Sequence, residues 1–246
     1  MKTTDLELFR RRLMKWYQAN HRDLPWRRSS RPYPVWVSEV MLQKTQLKTV
    51  LNYYRRFLTE FQNIKRLAAA DLQAVLKIWE GMGYYARARN MHRAAKIVVQ
   101  NHGGRIPDQW DAFRSLPGVG DYIAAAVLSI AYNQPHAVVD GNVKRVLARL
   151  HKIHTPVNRP GSDKAFKNAA DRLLDSRKPG IFNQAMMELG ALVCRPRNPL
   201  CDACPIMRLC QAYQARQVAD FPKRKKLKAT PQYHIAVGVI FKNGRV

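Results

Sequence analysis

Leu116-Pro117-Gly118-Val119-Gly120-Asp121 is the stretch on which the fold turns. A helical pattern ends ahead of it near Phe113, and a second begins at Asp121. Proline and glycine in so short a span interrupt a helix. The reading is therefore helix, tight hairpin, helix. Two glycines leave backbone N–H groups free at the start of the second helix, a setting suited to an anion such as a phosphate. Gly118, Val119 and Gly120 are the residues of that candidate contact. The same pattern also makes an ordinary helix–helix turn, and Gly-x-Gly alone does not decide between them.

Helical spacing also dominates outward from the hairpin. Leu6, Phe9, Leu13, Trp16 and Tyr17 recur at helical intervals, with Arg10, Arg11 and Arg12 on other faces. Pro32 and Pro34 are expected to break the chain before a helix over roughly 35–48. Further patterns cover about 50–60, 71–80, 85–101, 121–132, 142–150, 163–175 and 181–193. Few segments alternate as strands do, so the fold class is all-α. The C-terminal end differs. Residues 223–231 read as a basic linker, starting Lys223-Arg224-Lys225-Lys226. His234 to Phe241 is rich in β-branched residues, and Asn243-Gly244 suits a turn. A lone strand cannot bury itself, so 232–246 is expected to open a C-terminal domain that is otherwise missing.

The 246 residues hold 43 Lys and Arg against 17 Asp and Glu, a formal charge of +26. A surplus this large fits work against a polyanion, of which nucleic acid is the obvious case, although a merely solvated surface or one that binds acidic lipid fits it too. The N-terminal stretch has no unbroken apolar run, which argues against a secretory signal. The nearly apolar run Ile123 to Tyr132 is far short of a membrane span. A cytoplasmic, nucleoid-associated protein with no membrane partner is expected.

All four cysteines fall within one short segment: Cys194-x6-Cys201-x2-Cys204-x5-Cys210. A disulfide framework would spread them to close large loops. Structural zinc usually pairs two short Cys-x2-Cys knuckles across a longer gap, and only one knuckle is present. Four thiolates so spaced can wrap one cubane iron–sulfur cluster. Arg195, Arg197 and Arg208 lie in and around these loops, where they can meet phosphates. Elsewhere, Glu39, Gln43 and Gln46 follow i, i+4, i+7 and would share one helix face. That stripe reads equally as a site or as a solvated face. Asp140 follows Ala137-Val138-Val139 and precedes Gly141-Asn142, where it also reads as a helix N-cap.

Taken together, the hairpin, Val139-Asp140-Gly141-Asn142-Val143-Lys144-Arg145-Val146 and the cysteine loop resemble the endonuclease-III-type helix–hairpin–helix glycosylases. Within these the chain is similar to the A/G-specific adenine glycosylases, the MutY family. Leu24-Pro25-Trp26-Arg27, Pro34-x-Trp36-Val37-Ser38-Glu39-Val40-Met41-Leu42-Gln43, Gly81-Met82-Gly83-Tyr84-Tyr85-Ala86-Arg87-Ala88-Arg89 and Phe182-Asn183-Gln184-Ala185-Met186-Met187-Glu188-Leu189-Gly190 support it. The likeness runs from about residue 5 to residue 222.

The resemblance implies two helical lobes with a DNA cleft between them. One is a barrel lobe over 29–136 with the hairpin. The other combines 1–28 with 137–222 and carries one 4Fe-4S cluster on Cys194, Cys201, Cys204 and Cys210. It implies a monomer acting on double-stranded DNA that contains adenine opposite 8-oxoguanine or guanine. Glu39 becomes the acid that protonates adenine, with a raised pKa. Asp140 becomes an ionised carboxylate that stabilises the oxocarbenium-like sugar. Asn142 fixes that site, and Gln43 helps read the extruded base. Tyr122 stands where related bifunctional enzymes carry a Schiff-base lysine, so base removal without strand nicking is expected. Tyr84 becomes the wedge that offsets unstacking, with Tyr85 packing behind it. Arg87, Arg89 and Arg93 are expected on a phosphate-facing or solvated face. Arg27 and Thr45 complete the DNA-contacting set.

Two departures stand out. The family usually reads Met-Leu-Gln-Gln-Thr, whereas Lys44 takes the place of the second Gln and is expected to add a charge contact. Without most of a C-terminal domain, adenine excision is expected to persist with weaker preference for 8-oxoguanine partners. Rival readings on the same fold are a mismatch-thymine or oxidised-pyrimidine glycosylase. A non-catalytic iron–sulfur DNA-binding protein is the rival from another class.

Overall fold

A computed structural model describes residues 3–226 and Gly238. Among them the regular structure is helical and no strand forms. In chain order come α1 (Thr3–Asn20), α2 (Pro32–Leu42), α3 (Leu47–Glu60), α4 (Ile64–Ala69), α5 (Leu72–Trp79) and α6 (Ala86–Asn101). Then follow α7 (Trp110–Arg114), α8 (Asp121–Tyr132), α9 (Gly141–Leu150), α10 (Asp163–Leu173), α11 (Pro179–Leu192) and α12 (Gln211–Gln214). Short 3-10 turns at Cys201–Ala203 and Met207–Leu209 shape the cysteine loop.

α2 is buried on nearly every side, from Tyr33 to Met41, and packs against α3 and α8. A helix apolar all round belongs inside a core. It starts at Pro32 rather than near residue 35, because a first-turn proline loses no helical hydrogen bond. Pro32 and Pro34 therefore open the helix instead of preceding it. It ends at Leu42, since Gln43 turns extended and Lys44 takes φ +57°. The expected stripe Glu39–Gln43–Gln46 is thereby broken: Glu39 is helical, while Gln43 and Gln46 lie on the connection to α3.

The buried side chains form two main cores. Trp36, Phe57, Trp79, Phe113 and Ile123 belong to the first, built mainly from α2 to α8. Phe9, Leu13, Leu147, Phe166, Phe182 and Leu189 belong to the second, built from α1 and α9 to α11. Leu24 and Trp26 join the first core although they precede residue 29. The two halves touch where α11 crosses α8. A Cβ on Gly180 would sit 2.5 Å from the Ser129 carbonyl oxygen and 2.7 Å from Ile130 Cα, so only glycine allows this backbone approach. Asn183, buried beside it, donates to Ser129 Oγ and the His136 carbonyl at 2.8 Å each and accepts from Val138 N–H at 3.1 Å. That triple tie fixes the path from α8 into Asp140.

The basic run is ordered at its start. Lys223 carbonyl accepts from Val157 N–H at 3.0 Å, and Lys225 pairs in both directions with Asn158 at 2.8 Å. The start of the expected basic linker is thus tied to the second half through the backbone of Lys223 and Lys225. The expected strand His234–Phe241 and its turn lie outside the described residues, apart from Gly238. No helix among the described residues is long and apolar enough to cross a membrane.

Candidate active site between the two cores

A cavity of about 270 Å³ opens where the two halves meet, lined by Arg27, Glu39, Tyr122, Asp140, Asn142 and Glu188 among others. α2 and α8 bring Glu39 and Tyr122 from the first half. α9 and α11 bring Asp140, Asn142 and Glu188 from the second. The sequence-predicted carboxylates, a hundred residues apart, are thus brought together.

Glu39 is 4% exposed, on a helix otherwise packed with apolar side chains. Tyr122 donates its hydroxyl to Glu39 Oε2 at 2.5 Å and touches Met187 Sδ at 3.7 Å. Burial pushes the Glu39 carboxyl from 4.5 up to about 7. The Tyr122 hydrogen bond and Arg27 oppose that rise, and the Asp140 charge adds to it. Glu39 can therefore hold a proton near neutrality and give it up to a base placed in the cavity.

Asp140 is indeed the N-cap of α9: its Oδ1 accepts from Val143 N–H at 2.6 Å. The other oxygen accepts from Asn142 Nδ2 at 3.0 Å. Asn142 in turn accepts from Arg145 at 2.8 Å, and Arg145 donates to the Cys194 carbonyl at 2.7 Å. The capping role and a site role are therefore not alternatives. Burial lifts the Asp140 pKa, while the backbone and Asn142 hydrogen bonds pull it down. The two carboxylates are not shifted in opposite directions, as the pattern of a split pair would have it. Both rise, and the donors gathered on Asp140 are what favour its charge.

Glu188 is a site residue that sequence reasoning passed over. It is 1% exposed, and its carboxylate takes two hydrogen bonds each from the guanidiniums of Arg22 and Arg27 at 2.7–2.9 Å. These hold it down at about 2 despite its burial. The available signal was a charged residue in the apolar pattern of α11. Arg27 lines the cavity as a bound partner of Glu188 rather than as a free cation.

The remaining predicted residues rim the cavity or lie away from it. Thr45 lines it, but Gln43 and Lys44 do not. Lys44 is exposed, and the Gln43 carbonyl is held by Arg87. Tyr84 stands 64% exposed at φ +50°. Tyr85 is also exposed, not packed behind it, because the chain turns into α6 there. Arg89 and Arg93 are exposed as expected, whereas Arg87 is folded inward onto carbonyls. In the hairpin, Gly118 has φ +80° and its Cβ position lies 2.9 Å from Asn90 Cβ, a conformation that calls for glycine. Val119 is buried and its N–H is taken by the Leu116 carbonyl at 3.0 Å, whereas Gly118 is exposed and half-buried Gly120 caps α8.

Cys194, Cys201, Cys204 and Cys210 line one small cavity of about 30 Å³. Arg149 donates to Cys194 Sγ at 3.3 Å, and Cys210 Sγ donates to the Arg149 carbonyl at 3.4 Å. Among the described residues no three His, Cys, Asp or Glu gather tightly enough to hold a single metal ion. A four-thiol set around one cavity, with a buried arginine against it, suits a thiolate-bound polynuclear cluster.

The family described as HhH-GPD superfamily base excision DNA repair protein matches residues 37–172, more than half the chain. The chain belongs to this superfamily. It is 44% identical over 236 residues to the adenine DNA glycosylase of Mus musculus, covering 92% of this chain and 45% of the mouse protein. To the adenine DNA glycosylase of Schizosaccharomyces pombe it is 39% identical, covering 87% and 51%. For that of Buchnera aphidicola subsp. Baizongia pistaciae the identity is 36%, covering 90% and 63%. The superfamily member thus spans less than two thirds of these curated relatives. Among solved structures it is similar to a thermostable thymine-DNA glycosylase, with TM-score 0.78 and 29% identity, covering 86% and 98%. Its fold also matches an endonuclease III–DNA complex, with TM-score 0.72 and 22% identity, covering 88% and 98%.

Proposed function

We propose that this chain is a monofunctional adenine DNA glycosylase that hydrolyses the N-glycosidic bond of adenine opposite 8-oxoguanine or guanine in duplex DNA. The observation that carries the reading is Glu39, a buried carboxyl at about 7, sharing a cavity with Asp140. Adenine extruded into the cavity takes a proton from Glu39 on a ring nitrogen, which makes it a better leaving group. The bond to the sugar then breaks, its electron pair leaving with the base. Asp140 stabilises the oxocarbenium-like sugar, by charge or by a transient covalent bond. Water finally adds to the sugar carbon, displacing Asp140 where it has bonded, and gives a proton back to the Glu39 carboxylate, which restores the acid. Tyr122 holds Glu39 by hydrogen bond and offers no amine, so no Schiff base and no efficient strand nicking follow.

Cys194, Cys201, Cys204 and Cys210 would hold one 4Fe-4S cluster. Bound there, it would tie the C-terminal loops together and aim Arg195, Arg197 and Arg208 at phosphates rather than take part in cleavage. The lobe division at 29–136 against 1–28 plus 137–222 is proposed in outline, with residues 24–28 moved toward the first core. The protein works as a monomer, in the cytoplasm at the nucleoid where its substrate lies.

Thymine removal from mismatches is the second reading, favoured by the structural likeness to a thymine-DNA glycosylase. A buried proton donor suits a purine leaving group better, and the higher identities are to adenine enzymes. The deciding measurement is single-turnover base release from duplexes with A opposite 8-oxoguanine, G or T and from a duplex with a G:T mismatch, using wild type and Glu39→Gln. Adenine release should fall by roughly a thousandfold or more in the variant, within the range for loss of a general acid. Release of thymine from G:T in place of adenine, or equal adenine release by Glu39→Gln, would overturn the proposal.

A further inference from the structure

Arg87 lies in the first turn of α6, and its guanidinium sits where two segments meet, one of which reaches the cavity at Thr45. Nη1 donates to the carbonyls of Val40 at 3.1 Å and Met41 at 2.9 Å, and also to that of Gln43. Nη2 donates to Thr45 Oγ1 and the Gly83 carbonyl at 3.1 Å each, with the Met82 carbonyl at 3.5 Å. The guanidinium carbon lies 5.4 Å from the Trp79 ring centre and 5.3 Å from that of Tyr84. One side chain therefore grips the end of α2, the Gln43–Thr45 connection and the Gly81–Tyr84 turn.

We infer that Arg87 is a positioning residue that makes the Gln43–Thr45 connection and the Tyr84 turn a single base-reading unit. The inference rests on the glycosylase reading above and on the parts that the resemblance implies for Gln43 at the extruded base and Tyr84 as the wedge, and it adds how the two are held together. Both segments are conformationally costly on their own. Lys44 has φ +57° and Tyr84 φ +50°, the left-handed region that is unfavourable for non-glycine residues. Strain of that kind persists where surrounding contacts over-determine it, and Arg87 supplies those contacts to both segments at once. Simple capping of α2 would need only the Val40 and Met41 carbonyls. Reaching across to Met82, Gly83 and Tyr84 goes beyond it. The geometry also demands the planar fork. A lysine brings the charge but neither the spread of donors nor a face to stack between two rings. All the hydrogen-bond acceptors are neutral, so the half-buried charge stays available to a polyanion approaching exposed Tyr84. Because Val40 and Met41 directly follow Glu39, the same grip sets the end of the helix that carries the proposed acid.

The test is a double-mutant cycle with Arg87→Lys, Tyr84→Ala and the double variant. Extrusion is read by fluorescence of 2-aminopurine placed opposite 8-oxoguanine. Chemistry is read by single-turnover adenine release opposite 8-oxoguanine and opposite guanine. Loss of two or more charge-assisted hydrogen bonds should slow extrusion by roughly tenfold or more in Arg87→Lys, and the 8-oxoguanine-over-guanine ratio should fall with it. The double variant should be no worse than Tyr84→Ala alone. A merely structural role predicts additive losses with the partner ratio unchanged, and that result in folded variants overturns the inference. If Arg87→Lys does not fold by circular dichroism, Thr45→Val replaces it in the same cycle: coupled losses support the inference, and additive losses overturn it. Wild type that extrudes and shows this coupling but releases no adenine would sink the adenine reading and leave the inference standing. Wild type that does not brighten 2-aminopurine at all would overturn both.

Discussion

Glu39 carries two demands that pull against each other, and both can be measured. In the proposed role of proton donor it would work only while protonated, so single-turnover release should be greatest below about 7 and fall tenfold per unit above it. A rate flat from pH 6 to 9 would remove Glu39 from that role. Stability follows the same group. Its folded pKa lies above the unfolded 4.5, so the neutral form favours the fold below 4.5 and that advantage is lost as pH rises to about 7. The ionised, buried carboxylate then costs on the order of 3 kcal/mol. Glu39→Gln keeps an oxygen for Tyr122 and removes this cost. Its melting midpoint should draw ahead of wild type between pH 4.5 and 7 and stay ahead above, while activity is lost. Equal midpoints at pH 5 and pH 8 would contradict the assigned burial.

At the scale of the element, α11 shows how one helix serves packing and site together. Phe182, Ala185 and Leu189 face the second core, Asn183 ties the α8–α9 connection, and Glu188 anchors Arg22 and Arg27. A buried carboxylate with two guanidiniums is costly to break from one side, because the cations lose their partner. Glu188→Gln is expected to cost roughly 3–5 kcal/mol in denaturant unfolding. Because its pKa is held at about 2, its contribution is present above 4.5 and lost as pH falls toward about 2. Wild-type stability should therefore fall across that acid range by more than that of Glu188→Gln. A variant with the same acid profile as wild type would refute the buried triad.

At the scale of the whole molecule, the cavity exists only while the two cores keep their relative placement. Gly180 sets that placement, since the atoms facing its missing Cβ are the Ser129 and Ile130 backbone rather than flexible tips. Gly180→Ala must push α11 from α8, an overpacking cost of about 1–3 kcal/mol or more. Moving α11 also displaces Glu188 and loosens the Asn183 tie that leads to Asp140. Adenine release should fall by at least about tenfold in protein that remains folded, since small misplacements at reacting groups are expensive. Full activity with a lowered midpoint would show that the cavity tolerates the shift.

Much of this protein was legible in its sequence because local rules suffice for it. Helical spacing, the Pro-Gly hairpin and the single cysteine cluster are short-range patterns, and the all-helical class follows from them. The charge balance fits a polyanion partner, and the motif set points to the superfamily without the fold. Short-range patterns could not say where α2 stops. Periodicity ran Glu39 into Gln43 and Gln46, yet the chain leaves the helix at Gln43 under the grip of Arg87, a residue more than forty positions away. Nor could they tell that Arg87 points inward while Arg89 and Arg93 point out, since all three look alike in a basic pattern. Glu188 stayed hidden for the same reason: its partners Arg22 and Arg27 come from the other end of the chain. Resemblance singles out Glu39 as the proposed acid, but its pKa of about 7 is set by burial and Asp140 against the opposing pull of Tyr122 and Arg27. Those groups meet only in three dimensions. Sequence determined the elements and the chemical inventory. Tertiary structure decided which charges are buried and with what partners, because desolvation and Coulomb interaction depend on distance in space and not along the chain.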